Sequence, residues 1–281
     1  RHAVVGGPAP GLLSPPAPLG VFSSLTFSAL LDSVRDGLLS VGTNPGGELP
    51  SIMRYQPRRR GPGRPPPVQW DRLFDWAASP PSYRTGLQPL EQQLRDAIEA
   101  SLRSTVVQDV LFADGSRDFE SLNLGFLWVD EHGPHALAEQ AAASVIRMLA
   151  QRKRWLGSEA EGQLNPPSYV RRYLESVAAL AGLDPGVLTA DVAAILGRFV
   201  DQWLIDPDAL FVLAPRPNAD SEIDVFECPR CSRSHLHASA GVCTAGFEPL
   251  PAAPRRHSLS DPPGDFYEFL ARSQYPPFRV R

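Results

Sequence analysis

Three cysteines are the residues of this chain whose types and spacing most clearly indicate chemistry. Cys228 and Cys231 form a Cys-x-x-Cys pair, and Cys243 follows after eleven further residues. Zinc is bound tetrahedrally by thiolates, and two such pairs, each turning its sulfurs toward one point, supply that geometry. The three cysteines all lie within sixteen residues, which favours a metal site over a disulfide framework. We therefore predict that this segment is a remnant or variant of a zinc ribbon.

The second half of this predicted ribbon is incomplete, because Gly246 stands where a fourth cysteine is expected. His235 and His237 lie between the two halves and His257 lies beyond them, so an imidazole or a water molecule could complete the zinc site. A loop of free thiols without metal is the alternative. A closed ribbon is structural, so zinc at this place would not imply catalysis.

A second group of residues could contact the phosphates of DNA. The net charge is −4, so such binding requires local positive patches. Between Leu49 and Trp70 the chain has five arginines and no acid, and the Gly-Arg-Pro at 63–65 resembles the core of an AT-hook. Non-specific phosphate contact is the expected mode, and a solvated linker is the alternative. The predicted phosphate-binding residues, in this loop and beside the cysteines, are Arg54, Arg58, Arg59, Arg60, Arg64, Arg230, Arg233, Arg255 and Arg256.

No residue pattern in the sequence predicts an enzyme. Lys153 is the only lysine, and no glycine-rich turn precedes it, so the chain has no Walker A motif. The apolar residues 126–129 and the acids after them resemble a Walker B strand, whose acids hold magnesium. Without a P-loop, however, the chain has no bound nucleotide for such a magnesium ion. No run approaches the roughly 18 apolar residues that indicate a membrane span. We expect a soluble, cytoplasmic protein without a catalytic site.

The remaining pattern predicts an α+β fold that is mainly α-helical. Apolar residues at helical spacing predict helices at 24–39, 87–112, 134–156, 168–181 and 189–204, with strands at 122–129 and 209–214. The order of helix, turn, helix and strand is that of a winged helix-turn-helix, with a plain helical packing unit as the alternative. The predicted units are a disordered leader at 1–20, a helix and loop at 21–48, a basic loop at 49–86, a helical α+β subdomain at 87–160, a winged-helix-like unit at 161–216, a degenerate zinc ribbon at 217–260, and a closing helix and tail at 261–281.

Several phrases of the sequence, taken in order, resemble a known family. They are Asp-Gly-Leu-Leu-Ser-Val-Gly-Thr-Asn-Pro at 36–45, Arg-Asp-Phe-Glu-Ser-Leu-Asn-Leu-Gly at 117–125, the cysteine segment at 228–245 with Phe-Val-Leu before it, and Asp-Phe-Tyr-Glu-Phe-Leu-Ala at 265–271. Together they resemble the large DEAD/DEAH-box helicases of bacterial phage-defence islands, the DISARM type. In that family the position of Gly246 is expected to be cysteine.

The resemblance implies an accessory region that lies between the ATPase motifs of a DNA helicase. The chain begins with Arg1 instead of methionine, so we expect a fragment, with the ATP-binding and magnesium-binding residues elsewhere in the parent protein. The implied function is a non-catalytic segment of an ATP-dependent helicase or translocase that contacts DNA. The alternative is a stand-alone zinc-ribbon module that docks a protein partner and has no role with nucleic acid.

Overall fold

The structure, a computed structural model, describes residues 22–55, 67–113, 117–130, 132–216 and 222–258. Within these ranges the helices are α1 Phe27–Ser40, α2 Pro50–Met53, α3 Pro89–Thr105, α4 Leu137–Gln151, α5 Ser168–Ala181 and α6 Pro185–Leu196. The strands are β1 Phe22–Thr26, β2 Arg54–Tyr55, β3 Val68–Gln69, β4 Phe74–Asp75, β5 Ser82–Tyr83, β6 Phe126–Trp128, β7 Val200–Asp201, β8 Leu204–Ile205, β9 Phe211–Pro215, β10 Glu222–Glu227, β11 Ser234–His235 and β12 Arg255–Ser258. A π-helical turn, Val106–Leu111, follows α3.

The chain divides into two compact units, which are described separately. The first contains residues 22–27 and the described residues from 111 to 258, and the second contains residues 28–55 and 67–110. In the second unit, the hairpins β2–β3 and β4–β5 accompany α1, α2 and α3. Its core is a cluster of buried apolar side chains, which are Leu39, Ile52, Leu73, Phe74, Leu94 and Ile98.

Helix α4 lies at the centre of the first unit. All ten residues from Ala141 to Ala150 are buried, and α5, α6, β6 and the turn at 239–241 pack around the helix. The apolar spacing predicted one buried face. The alanines let neighbouring elements approach on every side, which buries Ser144 and Arg147 as well. This burial brings a charged side chain into the core.

Two three-stranded antiparallel sheets complete the first unit. One has the order β1-β9-β6, and the other has the order β11-β10-β12. β1 was not predicted, because it exists only through its pairing with β9, in which Phe22 lies opposite Pro215. β12 was not predicted for the same reason, since Ser258 pairs with Glu222 of β10.

The structure has a helix at each predicted position, but some helices begin or end at other residues than predicted. Helices occur where 24–39, 87–112, 134–156 and 168–181 were predicted. The helix predicted at 189–204 is wrong in its second half, because α6 ends at Leu196 and the hairpin β7–β8 follows. Its two loop residues, Gln202 and Trp203, have φ of 48° and 61°. Such primed turns usually carry glycine or asparagine, so the sequence gives no signal for this one.

Several predictions fall on residues outside the described ranges. These are the leader at 1–20, the closing helix at 261–281, and the loop arginines Arg58, Arg59, Arg60 and Arg64. Among the described helices no single one is long and apolar enough to cross a membrane. Helices α5 and α6 pass that test only when taken together, and they are bent by 118°.

Candidate metal centre

Cys228 and Cys231 lie in a tight turn that connects β10 to β11. The Cys228 amide donates a hydrogen bond to the Arg233 carbonyl oxygen at 3.0 Å, and the Ser232 amide donates to the Cys228 carbonyl oxygen at 2.9 Å. Ser232 has a φ of 55°, which reverses the chain direction. Burial acts to raise the pKa of the Cys228 thiol, but hydrogen bonds from the amides of Arg230 and Cys231, together with those from the Cys231 and Cys243 side chains, lower that pKa overall.

Cys243 begins a second turn that repeats the backbone of the first, fifteen residues further along the chain. The Cys243 amide donates to the Glu248 carbonyl oxygen at 2.9 Å, and the Phe247 amide donates to the Cys243 carbonyl oxygen at 3.0 Å. Phe247 has a φ of 59°, like its counterpart in the first turn. The two turns therefore match residue by residue, and Gly246 occupies the position of Cys231.

The three sulfur atoms converge on one point. The Sγ atoms of Cys228, Cys231 and Cys243 all lie within 4.8 Å of one another, and the Cys231 and Cys243 sulfurs are 3.7 Å apart. A tetrahedral site with Zn–S bonds of about 2.3 Å has sulfur–sulfur edges of about 3.8 Å. A disulfide would require about 2.0 Å. The spacing therefore fits a shared metal ion, and the three residues are free thiols.

The surroundings of the sulfurs are apolar on one side and open on the other. Cys228 and Cys243 are buried and pack with Leu250 and Phe226, whereas Cys231 is exposed. Burial is the main cause that raises the pKa of the Cys243 thiol to about 11. A metal ion binds thiolates and not thiols, so binding here would displace the Cys243 proton.

The position of Gly246 has room for a side chain. A Cβ added there would meet the Cγ of Glu248 at 3.7 Å, which is ordinary van der Waals contact. The φ of Gly246 lies outside the left-handed region, so the turn does not require glycine at this place. A cysteine is therefore sterically allowed where the sequence lacks one.

The predicted imidazole ligand is absent from the cysteine group. Within the described ranges the group contains the three cysteines and no histidine. The Nδ1 of His235 lies 3.2 Å from Nη1 of Arg147, and the Nδ1 of His237 accepts a hydrogen bond from the Ser239 amide at 3.1 Å. His257 is buried in β12. All three histidines are buried in the first unit, outside the cysteine group.

A buried ionic network lies close to these histidines, and the sequence did not reveal it. Arg147 of α4 binds Asp118 at two points, with Nε 2.7 Å from Oδ2 and Nη2 3.2 Å from Oδ1. Its Nη1 lies 3.1 Å from Oε2 of Glu120 and donates to the Ser234 carbonyl oxygen at 2.8 Å. The single signal in the sequence is an arginine inside an otherwise apolar helix, since a charge at such a place needs a buried partner.

Two carboxyl groups share the one Arg147 guanidinium, and their pKa values shift in opposite directions. Burial raises the pKa of Glu120 to about 7, because the attraction of Arg147 is offset by repulsion from Asp118. For Asp118 burial also acts to raise the pKa, but the ion pair and hydrogen bond with Arg147 lower it overall. Burial and Arg147 lower the pKa of His237 to about 3, so this imidazole is neutral. The network also lines a cavity of about 20 Å³, enough for about one water molecule.

Each of the predicted phosphate-binding arginines beside the cysteines has a protein partner within the described ranges. Arg230, Arg255 and Arg256 are exposed, but each contacts an acid, and the half-buried Arg233 contacts an amide. Arg230 pairs with Glu248, Arg255 with Glu227 at 3.7 Å, Arg256 with Asp224 at 3.0 Å, and Arg233 donates to Gln151 at 2.7 Å. Residues 222–258 hold four arginines and four acids, so this segment is electrically balanced. In the second unit, Arg54 is exposed in β2.

Comparison of the chain with protein-family models, with curated proteins and with solved structures found no match. What the site can do therefore follows from its own residues. Three thiols this close together could hold a metal ion, and thiolate ligands suit zinc.

Proposed function

We propose that this chain is a non-enzymatic module in which Cys228, Cys231 and Cys243 hold a structural zinc ion. The match between the two cysteine turns carries the proposal. Each turn has the same pair of backbone hydrogen bonds and the same positive φ, and each presents sulfur to a common point. If the thiols had no common ligand, we would not expect the same backbone conformation in both turns.

Zinc would stabilise the small sheet β11-β10-β12 and the turn at 243–248. The apolar cluster at this place is small, with Leu250 and Phe226 packed on two of the cysteines. A metal ion that joins the two cysteine turns would add to the stability that this small cluster provides. The segment at 217–260 is therefore proposed to be a zinc ribbon that has lost one cysteine.

Metal analysis of the purified full chain tests the proposal. We expect one zinc per chain after reconstitution, and less than half of that in the variants Cys243→Ser and Cys228→Ser. Ser232→Ala is the matched control, because it changes the same turn without removing a sulfur, and it should retain the zinc. A wild-type chain that holds no more zinc than the two cysteine variants would refute the proposal.

For the wider function, we propose an accessory segment of an ATP-dependent DNA helicase or translocase in phage defence, which contacts DNA. The resemblance of residues 36–45, 117–125 and 228–245 to that family supports it. A winged-helix-like unit agrees with the geometry, since α5 and α6 are separated by three residues, are bent by 118° and are followed by the hairpin β7–β8. Arg54 and the arginines at 58–64 would contact phosphates.

A second candidate is a module that docks a protein partner, and the surface of α6 favours it. The second helix of a helix-turn-helix enters the major groove and needs polar donors there. In α6 the exposed positions include Val187, Ala190 and Ala194, and the helix has no lysine or arginine. Together with the balanced charge of residues 222–258, this composition suits a protein surface better than DNA.

Fluorescence anisotropy with duplex DNA at low and moderate salt separates the two candidates. A DNA-contacting segment should bind at low salt with a steep salt dependence, and changing Arg54, Arg58, Arg59, Arg60 and Arg64 together to glutamine should abolish binding. The double variant Arg255→Gln and Arg256→Gln is the control, because those arginines already pair with acids. No association of the wild-type chain at low salt would exclude the DNA role and leave the protein-docking module.

A further inference from the structure

We infer that the carboxylate of Glu248 is the fourth ligand of the metal held by the three cysteines. This inference rests on the proposed zinc site and names the group that completes it. It would convert a three-sulfur site with an open position into a closed site with three sulfur atoms and one oxygen atom. Zinc accepts this ligand set, since carboxylate oxygen binds it at about 2.0–2.2 Å.

The match between the two turns defines where the fourth ligand must come from. Cys231 supplies the second sulfur of the first turn, and Gly246 holds the equivalent position in the second turn. A Cβ at Gly246 would point from the second turn as the Cβ of Cys231 does from the first. The open corner of the tetrahedron therefore lies next to Gly246.

Glu248 is the carboxylate beside that corner. Its Cγ is 3.7 Å from the place where a Cβ on Gly246 would lie. A cysteine sulfur is one bond beyond its Cβ, and a glutamate carboxyl carbon is one bond beyond its Cγ, so the carboxyl group is attached close to the open corner. The Glu248 backbone is already fixed, since its carbonyl oxygen accepts from the Cys243 amide at 2.9 Å. The proposed ligation therefore requires a change of the Glu248 side-chain rotamer and no change of this backbone hydrogen bond.

The ion pair between Glu248 and Arg230 is exposed and therefore weak. The carboxylate pairs with Arg230, which belongs to the first cysteine turn, instead of joining the cysteine group. The side chains of Arg230 and Glu248 are 71% and 37% exposed, and an ion pair in water contributes little. Its loss on metal binding would therefore cost little.

Positive charge near the site offsets the charge of the proposed ligand set. Three thiolates and one carboxylate around a divalent cation leave a net charge of −2. Arg230 and Arg233 both belong to the first cysteine turn, where the Arg233 carbonyl oxygen accepts from the Cys228 amide at 3.0 Å. These guanidinium groups would act as partners of the ligands, as the groups around a metal site commonly do.

Cobalt titration of the full chain tests the assignment, because Co²⁺ reports tetrahedral thiolate coordination by its absorption. The variant Glu248→Gln should bind Co²⁺ and Zn²⁺ more than about tenfold more weakly than wild type. Glu227→Gln is the matched control, since it removes the same charge from a carboxylate that also pairs with an arginine. It should weaken binding by less than about threefold. The double variant Gly246→Cys with Glu248→Gln should recover the affinity, because the cysteine replaces the lost ligand.

A second readout distinguishes a bound carboxylate from water. Added 2-mercaptoethanol should change the Co²⁺ spectrum of Glu248→Gln at concentrations that leave wild type unchanged, since only the variant has an exchangeable position. Equal affinities of Glu248→Gln and Glu227→Gln, or equal sensitivity of wild type and Glu248→Gln to the thiol, would overturn the assignment of Glu248 while leaving the zinc site intact. A wild-type chain that binds neither metal would overturn both the ligand assignment and the proposed function.

Discussion

Arg147 and Asp118 form a two-point ion pair in which both side chains are almost completely buried. The side chains are 6% and 3% exposed, and the two nitrogen–oxygen distances are 2.7 and 3.2 Å. Little solvent reaches either partner at this depth, so each side chain depends on the other for most of its hydrogen bonds. The pair joins α4 to the segment at 117–125. Asp118 lies 29 residues before Arg147 in the sequence.

Removal of one partner of this pair should destabilise the chain strongly. Asp118→Asn leaves the guanidinium without its main counter-ion, and the expected loss in the free energy of unfolding is about 3–5 kcal/mol. Chemical denaturation followed by circular dichroism measures it. Asp96→Asn breaks an exposed pair with Arg95 at 2.8 Å and should cost less than about 1 kcal/mol. Equal losses in the two variants would show that burial does not strengthen the first pair.

Glu120 should make the stability of the chain depend on pH. Its pKa is raised to about 7 in the folded chain, against about 4.3 in an unfolded chain. Between these values the folded state keeps a proton that the unfolded state has lost, so the free energy of unfolding falls as pH rises from about 4.5 to 7. The contribution of Glu120 is up to about 3 kcal/mol.

The variant Glu120→Gln should remove this contribution, because the amide cannot ionise and its oxygen can still accept from the Leu236 amide. Unfolding free energies of wild type and variant, measured at pH 5 and pH 8, give the comparison. We expect the variant to lose less stability over this interval than wild type does. Parallel pH profiles would mean that Glu120 stays ionised throughout, held so by Arg147.

Sequence reasoning succeeded where the signal is local. Helix α5 was predicted from its apolar spacing, and its end coincides with Gly182, whose φ of 67° suits a helix terminus. The three cysteines were predicted to lie together because metal-ligand spacing within a turn is also a local property. The absence of a fourth cysteine was visible in the same way, at Gly246.

Features that depend on distant residues could not be predicted. β1 forms only through β9, and the hairpin β7–β8 turns through Gln202 and Trp203, which are not typical turn residues. His235, His237 and His257 were considered as possible fourth ligands, beside water, because they lie between or beyond the cysteines in the sequence. The fold instead places His235 against Arg147 and His237 against Ser239, and nothing in the local sequence marks those contacts.

Removal of the proposed metal should expose the cysteines and weaken the fold. If zinc holds the two turns together, chelation should lower the melting temperature by more than about 4 °C, which corresponds to roughly 1–2 kcal/mol in a chain of this size. It should also speed the reaction of a thiol reagent with Cys243, which is buried, more than with Cys231, which is exposed. Mass spectrometry of the labelled chain measures the two rates. Unchanged melting and labelling would mean that the turns are stable without metal.

Gly125 should tolerate no side chain. Its φ is 149°, and an added Cβ would lie 2.3 Å from the carbonyl oxygen of Leu213 and 2.5 Å from Cε1 of Phe119. Gly125→Ala must therefore separate β6 from β9 or displace Phe119, and we expect a loss of about 2 kcal/mol or more. Gly37→Ala in α1 is the control, since an added Cβ meets nothing within 4 Å and should stabilise the helix by about 0.5–1 kcal/mol. Thermal melting of the two variants should shift in opposite directions, and a stabilised Gly125→Ala would contradict the close approach.

Tyr173 should stabilise a turn that is costly to form. Ser239, Ala240 and Gly241 have φ of 50°, 49° and 79°, a left-handed run that disfavours the two residues with side chains. The buried Tyr173 hydroxyl donates to the Ser239 carbonyl oxygen at 2.9 Å, and the Ser239 hydroxyl lies 2.5 Å from that of Ser144. Tyr173→Phe removes the donor and leaves the carbonyl oxygen buried, so the expected loss is about 1–3 kcal/mol.

Tyr169 on the same helix provides the matched control for this prediction. Its hydroxyl oxygen is buried without a hydrogen-bond partner in the described part of the chain, so Tyr169→Phe removes a group that gains nothing on folding. That variant should be neutral or slightly more stable than wild type. Denaturant unfolding of both variants measures the difference between a satisfied and an unsatisfied phenol on α5. Equal stabilities of the two variants would show that the Tyr173 hydroxyl does not stabilise the left-handed turn. The strain at Ser239 and Ala240 would then have to be balanced by Ser144 and by the packing of α4.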